Sequence, residues 1–378
     1  MGVTALCWDD RFAVHDMGRA GLYVPVGGLL EDEIHVDNTA RITRTRNLVS
    51  RVGLDEFLCV VTPREASVEE IERVHSREHI RRMREVSATG GGDAGGGYTP
   101  MDGRSYELAL LSAGSALTAL ELVLRGEASN AHAMLRRSGH HAWRDSGYGF
   151  CIFNNCAAAA RAAQAVFGLE RVAIVDIDAH HGNGTEAIFL SDPNVLTISI
   201  HQDRSFPVET GFVGEMGQGE GRGANVNVNL VPGTGDPGYH YALDRIAVPI
   251  LHQFRPELIV VACGVDASLF DPLSRLGVTA KGFAEVAERF LRVADEVCGG
   301  RIVRCTPPSA GSPSSRRSRA WPSAPRMPSS RSSPARRAAA TSPRTSAKRS
   351  TRRRARLVDT GPSDAKIAAG DACPGWAP

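Results

Sequence analysis

The densest group of residues able to do chemistry follows a short apolar run near the middle of the chain. Asp176, Asp178, His180 and His181 lie close together there. Alternate side chains of extended backbone point the same way, so Asp176, Asp178 and His180 are predicted to project together. Carboxylate and imidazole are ligands of first-row metals. One Asp at a strand end could simply cap a loop, but this combination favours a metal site.

A catalytic zinc ion usually has three protein ligands and one open position. Asp178 and His180 would supply two, so a third ligand is needed. Asp266 follows another apolar run, residues 258–263, and is the best candidate. The sequence therefore predicts Zn²⁺ as the cofactor.

A pair of adjacent histidines, His140 and His141, follows Gly139. One imidazole could accept a proton from a metal-bound water while the other protonates a leaving amine. Each histidine needs a partner that sets its tautomer. The alternative is that these are two unrelated loop histidines. That interpretation does not explain the Gly-Phe-Cys-Ile-Phe-Asn-Asn motif that follows at residues 149–155.

The elements that must position these residues are indicated by hydrophobic patterning. Short apolar runs that predict buried strands alternate with longer helical stretches, which favours one α/β domain with a mainly parallel sheet and helices on both faces. Ligands of such sheets bind at the carboxyl ends of the strands. The predicted strands are residues 58–61, 131–135, 172–176, 195–200 and 258–263, and the predicted helices are residues 38–52, 68–86, 106–125, 157–167, 237–254 and 281–298.

Composition narrows the class of protein. Residues 1–300 hold 27 Lys and Arg against 39 Asp and Glu, so this acidic part gives no electrostatic argument for specific nucleic-acid binding. The eight Cys include no Cys-x-x-Cys pair and are predicted to be reduced thiols in the cytoplasm.

No signal peptide and no apolar run near membrane-spanning length is evident, so no membrane partner is expected. The Gly-rich residues 90–97 predict a flexible surface loop, because the ending of a phosphate loop is lacking.

Four motifs occur in one order: Gly139 to His141, residues 149–155, residues 176–185 and residues 264–267. In this order they resemble the arginase–deacetylase superfamily. The resemblance is greatest to its bacterial class II branch, the histone deacetylase-like amidohydrolases and acetylpolyamine amidohydrolases, and it covers residues 3 to 303.

The resemblance implies a single-domain arginase–deacetylase-like fold and a role for each matching residue. It makes Asp178, His180 and Asp266 zinc ligands, and His140 and His141 an acid/base pair that faces Asp176 and Asn183. An Asn at 183 should leave His141 less cationic than an Asp would. The implied acyl-lysine channel comprises Gly149, Phe150, Phe206 and Leu276, and the implied structural K⁺ site comprises Asp176, Asp178, His180 and Ser199. The implied substrates are acetylated lysine or acetylpolyamine. Relatives often associate, so a homo-oligomer is one alternative, and the sequence leaves the oligomeric state open.

The pattern breaks after residue 303. In the family, the oxyanion donor is a Tyr in a Gly-Gly-Tyr motif just after the strand that is equivalent to residues 301–303. In this chain no Tyr follows Tyr241. Residues 1–303 thus resemble a C-terminally incomplete catalytic domain, and residues 304–378 form a basic tail rich in Arg, Ser, Ala and Pro, with a composition that predicts disorder. The tail is either a segment that binds anionic surfaces or the product of a reading-frame change, and the second interpretation is favoured.

Three functions are compatible with these residues. The first is a zinc-dependent deacetylase, slowed by about 10²–10³ if one oxyanion donor is lost. The second is a catalytically impaired protein that binds zinc and acyl-lysine. The third is an arginase-like ureohydrolase with two manganese ions, although the Phe-lined channel argues against it.

Overall fold

The computed structural model of the chain describes residues 3–15, 17–24 and 27–306. The basic tail predicted from residue 304 lies outside the described residues, apart from its first three positions. These continue the last strand, which spans Ile302–Thr306.

An eight-stranded sheet forms the centre of the fold, and all of its strand pairs are parallel. Its order is β10-β9-β8-β11-β12-β7-β1-β4, and β2/β3 and β5/β6 are separate antiparallel pairs. The strands are β1 Thr4–Cys7, β2 Arg19–Ala20, β3 Glu33–Ile34, β4 Leu58–Val61, β5 Gly91–Asp93, β6 Pro100–Asp102, β7 Asn130–Met134, β8 Val172–Asp176, β9 Val195–Gln202, β10 Asn225–Leu230, β11 Leu258–Ala262 and β12 Ile302–Thr306.

The sheet has a hydrophobic core on each face. Along β8, Val172 and Ile174 pack into one core, whereas Ala173 and Val175 pack into the other. Such strands are apolar throughout because both faces are covered. The predicted α/β class and mainly parallel sheet are therefore confirmed.

Helices cover both faces. A side-chain cap at Ser76 starts a new helix inside the single helix predicted over residues 68–86, and the capping box of Ser67 and Glu70 begins the first part. The α-helices are α1 Ala40–Arg51, α2 Val68–Glu72, α3 Arg77–Ala88, α4 Ser105–Leu124, α5 Asn155–Phe167, α6 Asn183–Phe189, α7 Asp236–Ala242, α8 Val248–Phe254 and α9 Ala280–Cys298. Short 3₁₀ segments span Asp10–Val14, Leu54–Phe57 and Gly219–Gly221, and a π-helical segment spans Leu243–Ala247.

Helix α4 is long and apolar enough, by length and composition, to cross a membrane. An apolar segment of this length was not expected from the sequence. About three quarters of the relevant window is buried inside the structure, and Leu111, Leu117 and Leu120 of this helix are fully enclosed. Helix α4 therefore packs as a core helix.

Candidate active site

In the loop after β8, successive side chains continue for a few residues to point in alternate directions, as they do in the strand. Ile177 donates its N–H to the carbonyl of Ala262, and the N–H of Asp178 donates to Asp176 Oδ1 at 3.0 Å. The N–H of Ala179 donates to Asp266 Oδ1 at 2.7 Å, which ties this loop to the segment after β11. Because β8 and β11 are neighbours, both sets of polar side chains meet at the carboxyl edge of the sheet.

Asp178, His180 and Asp266 form a cluster that could hold a metal ion. Nδ1 of His180 lies 3.0 Å from Asp178 Oδ1 and 2.7 Å from Asp266 Oδ2, and the potential ligand atoms lie within 4.8 Å of one another. One imidazole and two carboxylates suit zinc. Gly264 is required here, because an added Cβ would overlap the carboxylate of Asp178.

The two adjacent histidines lie beside this cluster, with ring centroids 3.9 Å apart. Nδ1 of His140 is 2.8 Å from Asp176 Oδ2, and its Nε2 is 3.8 Å from Asp178 Oδ2. Burial disfavours the imidazolium, but Asp176 and Asp178 outweigh that effect and raise the pKa of His140 to about 9. These carboxylates therefore favour the protonated form of His140.

His141 has the opposite character. Its Nδ1 lies 2.6 Å from Asn183 Oδ1, so this nitrogen carries the hydrogen and Nε2 is left as an acceptor. Burial, together with the positive charges of His140 and His180, puts the pKa of His141 well below its ordinary value. The site thus pairs a neutral imidazole with a charged one, an arrangement suited to accepting and donating protons.

A cavity of about 540 Å³ leads to these residues. Its walls include the predicted channel residues Gly149, Phe150 and Phe206. Leu276 is placed elsewhere: it is buried in a hydrophobic core, and Leu273 lines the cavity. Phe150 has a φ of 70°, which is uncommon for a residue other than glycine, and its N–H donates to Thr99 Oγ1 at 3.2 Å.

Phe206 is supported from behind by two further rings. Tyr148 stacks on Phe206 at a centroid distance of 5.0 Å, and Trp143 stacks on Tyr148 at 5.4 Å. The edge of the site is completed by His141, with its ring perpendicular to Phe206 at 5.1 Å. Neither Tyr148 nor Trp143 was predicted from the sequence as a residue of the site.

Ser199, predicted as part of a K⁺ site, lies opposite Asp176 in the register of β8 and β9. Its Oγ is 2.9 Å from His201 Nδ1 and accepts a longer hydrogen bond from the Gly182 N–H. Potassium binding here stays a prediction.

Several cavity residues carried no signal in the sequence. Asp37 and Arg41 pair across one turn at the start of α1, at 3.1 Å, although a spacing of four residues on a helix is too common to mark a site. Gln202 reaches the cavity from the end of β9, and Arg204 and Arg275 reach it from two separate loops. Tyr98, which directly follows the Gly-rich residues 90–97, also lines the cavity.

The fold and site together define a hydrolase-like centre: a buried Asp–His–Asp cluster and a histidine pair at the carboxyl edge of a parallel sheet. Comparison with known proteins gives the same class. A family model described as "Histone deacetylase domain" matches residues 35–306. The chain is 41% identical to the "Histone deacetylase-like amidohydrolase" of Pseudomonas aeruginosa, over 79% of this chain and 80% of that protein.

Other relatives agree. A "Probable deacetylase" of Archaeoglobus fulgidus is 39% identical over 71% of this chain and 74% of its own length. The human "Polyamine deacetylase HDAC10" is 33% identical over 80% of this chain and 43% of its own length. The crystal structure of the HDA15 HD domain superposes with a TM-score of 0.73 at 29% identity, covering 82% of this chain and 85% of that one. The chain belongs to the histone deacetylase family.

Proposed function

We propose that the protein is a zinc-dependent amidohydrolase that removes acetyl or related acyl groups from a lysine-like amine or a polyamine. The observation that carries this proposal is the Asp178, His180 and Asp266 cluster beside the His140 and His141 pair, at the base of a single cavity. The ureohydrolase alternative is disfavoured, since in the described residues only these three side chains group as potential metal ligands.

When bound, zinc would supply a Lewis acid for the acyl carbonyl and an activated water. Asp178 and Asp266 would largely neutralise the charge of the ion they hold, so other side chains of the site are needed to assist the reaction. His141 Nε2 is free to accept a proton from the attacking water, and Asn183 holds its tautomer. Cationic His140, oriented by Asp176, stabilises developing negative charge and holds a proton for the leaving amine.

The walls of the cavity suit an extended aliphatic amine. Phe150 and Phe206 line it, and the aromatic faces can pack on a methylene chain. The family resemblance further supports a structural K⁺ near Ser199 and association into homo-oligomers as parts of this proposal. Free, mostly buried cysteines support a cytoplasmic location.

A second candidate is a protein that binds acyl-lysine but hydrolyses it slowly. It is favoured by the absence of any Tyr after Tyr241, where the family places its oxyanion donor. Among the described residues, the tyrosines that line the cavity are Tyr23 and Tyr98, and both are partly exposed at its mouth. Neither lies at the base beside the metal cluster's buried carboxylates.

The test is an assay of the zinc-loaded protein on a fluorogenic acetyl-lysine amide, with metal content measured in parallel. Asp266→Ala should lose both zinc and turnover. Asp244→Ala, which removes an exposed carboxylate paired with Arg289, serves as the matched control and should retain both. Zinc at one ion per chain without turnover would support the binding protein, and two manganese ions per chain would overturn both candidates.

A further inference from the structure

Among the described residues that line the cavity, the exposed charged ones are two arginines. The carboxylates that line the cavity, those of Asp37, Asp178 and Asp266, are all buried. Arg204 and Arg275 are exposed and line the outer part. The other exposed lining residues are uncharged: Tyr23, Tyr98, Val208 and Pro272.

The position of Arg204 is set by a tight turn after β9. Its φ is 48°, a left-handed conformation that is uncommon for a residue with a side chain. On one side of it the Asp203 N–H donates to the carbonyl of Leu230 at 2.8 Å, and on the other the Ser205 N–H donates to the carbonyl of Gln202. The backbone that presents Arg204 at the mouth is thus fixed from both sides.

Arg275 is held on the facing segment by the same glutamine. Its N–H donates to Gln202 Oε1 at 2.6 Å, and its carbonyl accepts from the Gly233 N–H at 2.6 Å. Gln202 ends β9 and itself lines the cavity, so it joins the two segments that carry the arginines.

Neither arginine is neutralised within the described part of the chain. The guanidinium of Arg275 donates to the carbonyl oxygens of Pro272 and Ser274, and neither it nor Arg204 forms an ion pair with a described residue. Elsewhere arginines such as Arg64 and Arg161 are engaged by carboxylates. The guanidinium groups at the mouth are therefore available to an incoming anion, and planar guanidinium suits a carboxylate.

We propose, resting on the proposed function, that Arg204 and Arg275 select acyl-lysine substrates with a carboxylate beside the acylated residue, as in an acidic peptide. Polycationic acylpolyamines are disfavoured by the same charges. The acidic surface of residues 1–300 acts at longer range, where salt screens it, because the Debye length at physiological ionic strength is about 8 Å. At contact distance the charges of Arg204 and Arg275 determine which substrate binds more tightly.

The experiment measures binding, so it works even if turnover is slow. Three fluorescent peptides carry acetyl-lysine between two Asp, two Gly or two Lys residues, and each is titrated with the zinc-loaded protein at low and high salt. Acetylspermidine competes as the polyamine probe. The Asp-flanked peptide should bind about five-fold more tightly than the Gly-flanked one, and the Lys-flanked peptide about five-fold more weakly, as exposed charge pairs allow.

Arg204→Glu and Arg275→Glu should each reduce or reverse this order, while Arg204→Lys and Arg275→Lys should keep its direction. Arg292→Glu makes the same change in net charge at an exposed position on α9 and should leave the order unchanged. Equal affinity for all three peptides, or tighter binding of acetylspermidine, would overturn the selection by charge and leave the proposed function intact. Failure to bind even the Gly-flanked peptide would overturn both.

Discussion

His141 Nδ1 lies 2.6 Å from the amide oxygen of Asn183, so a neutral group orients the imidazole proposed as the proton acceptor. The neighbouring imidazole faces a carboxylate instead. Burial and the charge of His140 lower the pKa of His141, whereas Asp176 and Asp178 raise the pKa of His140, although the two ring centroids are only 3.9 Å apart.

Replacing Asn183 with Asp should raise the pKa of His141, because a carboxylate favours the imidazolium. His141 must be neutral to accept a proton, so a raised pKa removes activity from the low-pH side. We expect the acidic limb of the kcat/KM profile to move up by about one pH unit or more. The profile is measured between pH 5.5 and 9, with Asn194→Asp as a control at an exposed position. An unmoved acidic limb would contradict the role given to His141.

The close approach of Gly264 to Asp178 gives a second prediction. A Cβ at position 264 would overlap the Asp178 carboxylate, whereas at Gly277 the nearest atom would be 3.7 Å away. Gly264→Ala should displace one zinc ligand and weaken zinc binding about 10-fold or more, the scale seen when a metal site's supporting groups are lost. Gly277→Ala should bind zinc normally. Zinc affinity is measured by competition with a chelator, and equal affinities in the two variants would refute the packing argument.

The ring stack behind Phe206 predicts a defect in binding more than in chemistry. Tyr148→Ala removes the ring between Trp143 and Phe206, and each such pair contributes about 0.5–1.5 kcal/mol. KM for an acyl-lysine substrate should rise several-fold while kcat changes less, and urea unfolding should show the lost stability. Tyr148→Phe keeps the stack and should behave as the unmodified protein. A fall in kcat alone would contradict this account.

Two enclosed histidines outside the site predict how stability depends on pH. Burial and the neighbouring His79 lower the pKa of His75 to about 3, and burial lowers that of His79 to about 4. Both stay neutral in the folded protein, whereas in the unfolded chain they bind protons below about pH 6.5. The contribution of these two histidines to the free energy of unfolding is complete above that pH. It declines as the pH falls toward their pKa values in the folded protein.

The decline should reach about 1.4 kcal/mol per pH unit for each histidine. Urea unfolding at pH 7.5, 6 and 5 measures it. His75→Gln should flatten the dependence, since an amide oxygen can still accept the hydrogen bond that His75 Nε2 takes from the Asn154 N–H. A variant with the same pH slope as the unmodified protein would show that His75 does not contribute.

The parts of the site that could be predicted are those set by short-range geometry. Asp176, Asp178 and His180 share the alternation of a single strand end, and Asp266 follows because parallel strands deliver their carboxyl ends to one edge. Gln202, Arg204 and Arg275 have no such spacing, and they meet only because the loop that carries Arg275 packs against the end of β9. Leu276 and Leu273 show the same limit, because a loop's conformation decides which of the two faces the cavity.

The fold shows a similar division. Apolar runs such as residues 172–176 predicted the central strands, because burial on both faces demands continuous hydrophobicity. Strand β10 escaped prediction because Asn alternates with its apolar residues, and Asn has low strand propensity. Asn225 and Asn227 instead donate to the carboxylate of Glu186, at 2.7 and 2.9 Å, which tertiary structure alone provides.

The place of β12 in the sheet determines when the molecule can assemble during synthesis. Within the sheet, β12 alone joins β11 to β7, although it is the last described strand along the chain. Without β12 the sheet consists of two separate parts, β7-β1-β4 and β10-β9-β8-β11, and the second part carries the metal cluster. These two β-ribbons thus remain unjoined until Thr306 has left the ribosome. Until then both ribbons expose an open edge, and the nascent chain depends on protection from pairing with other chains.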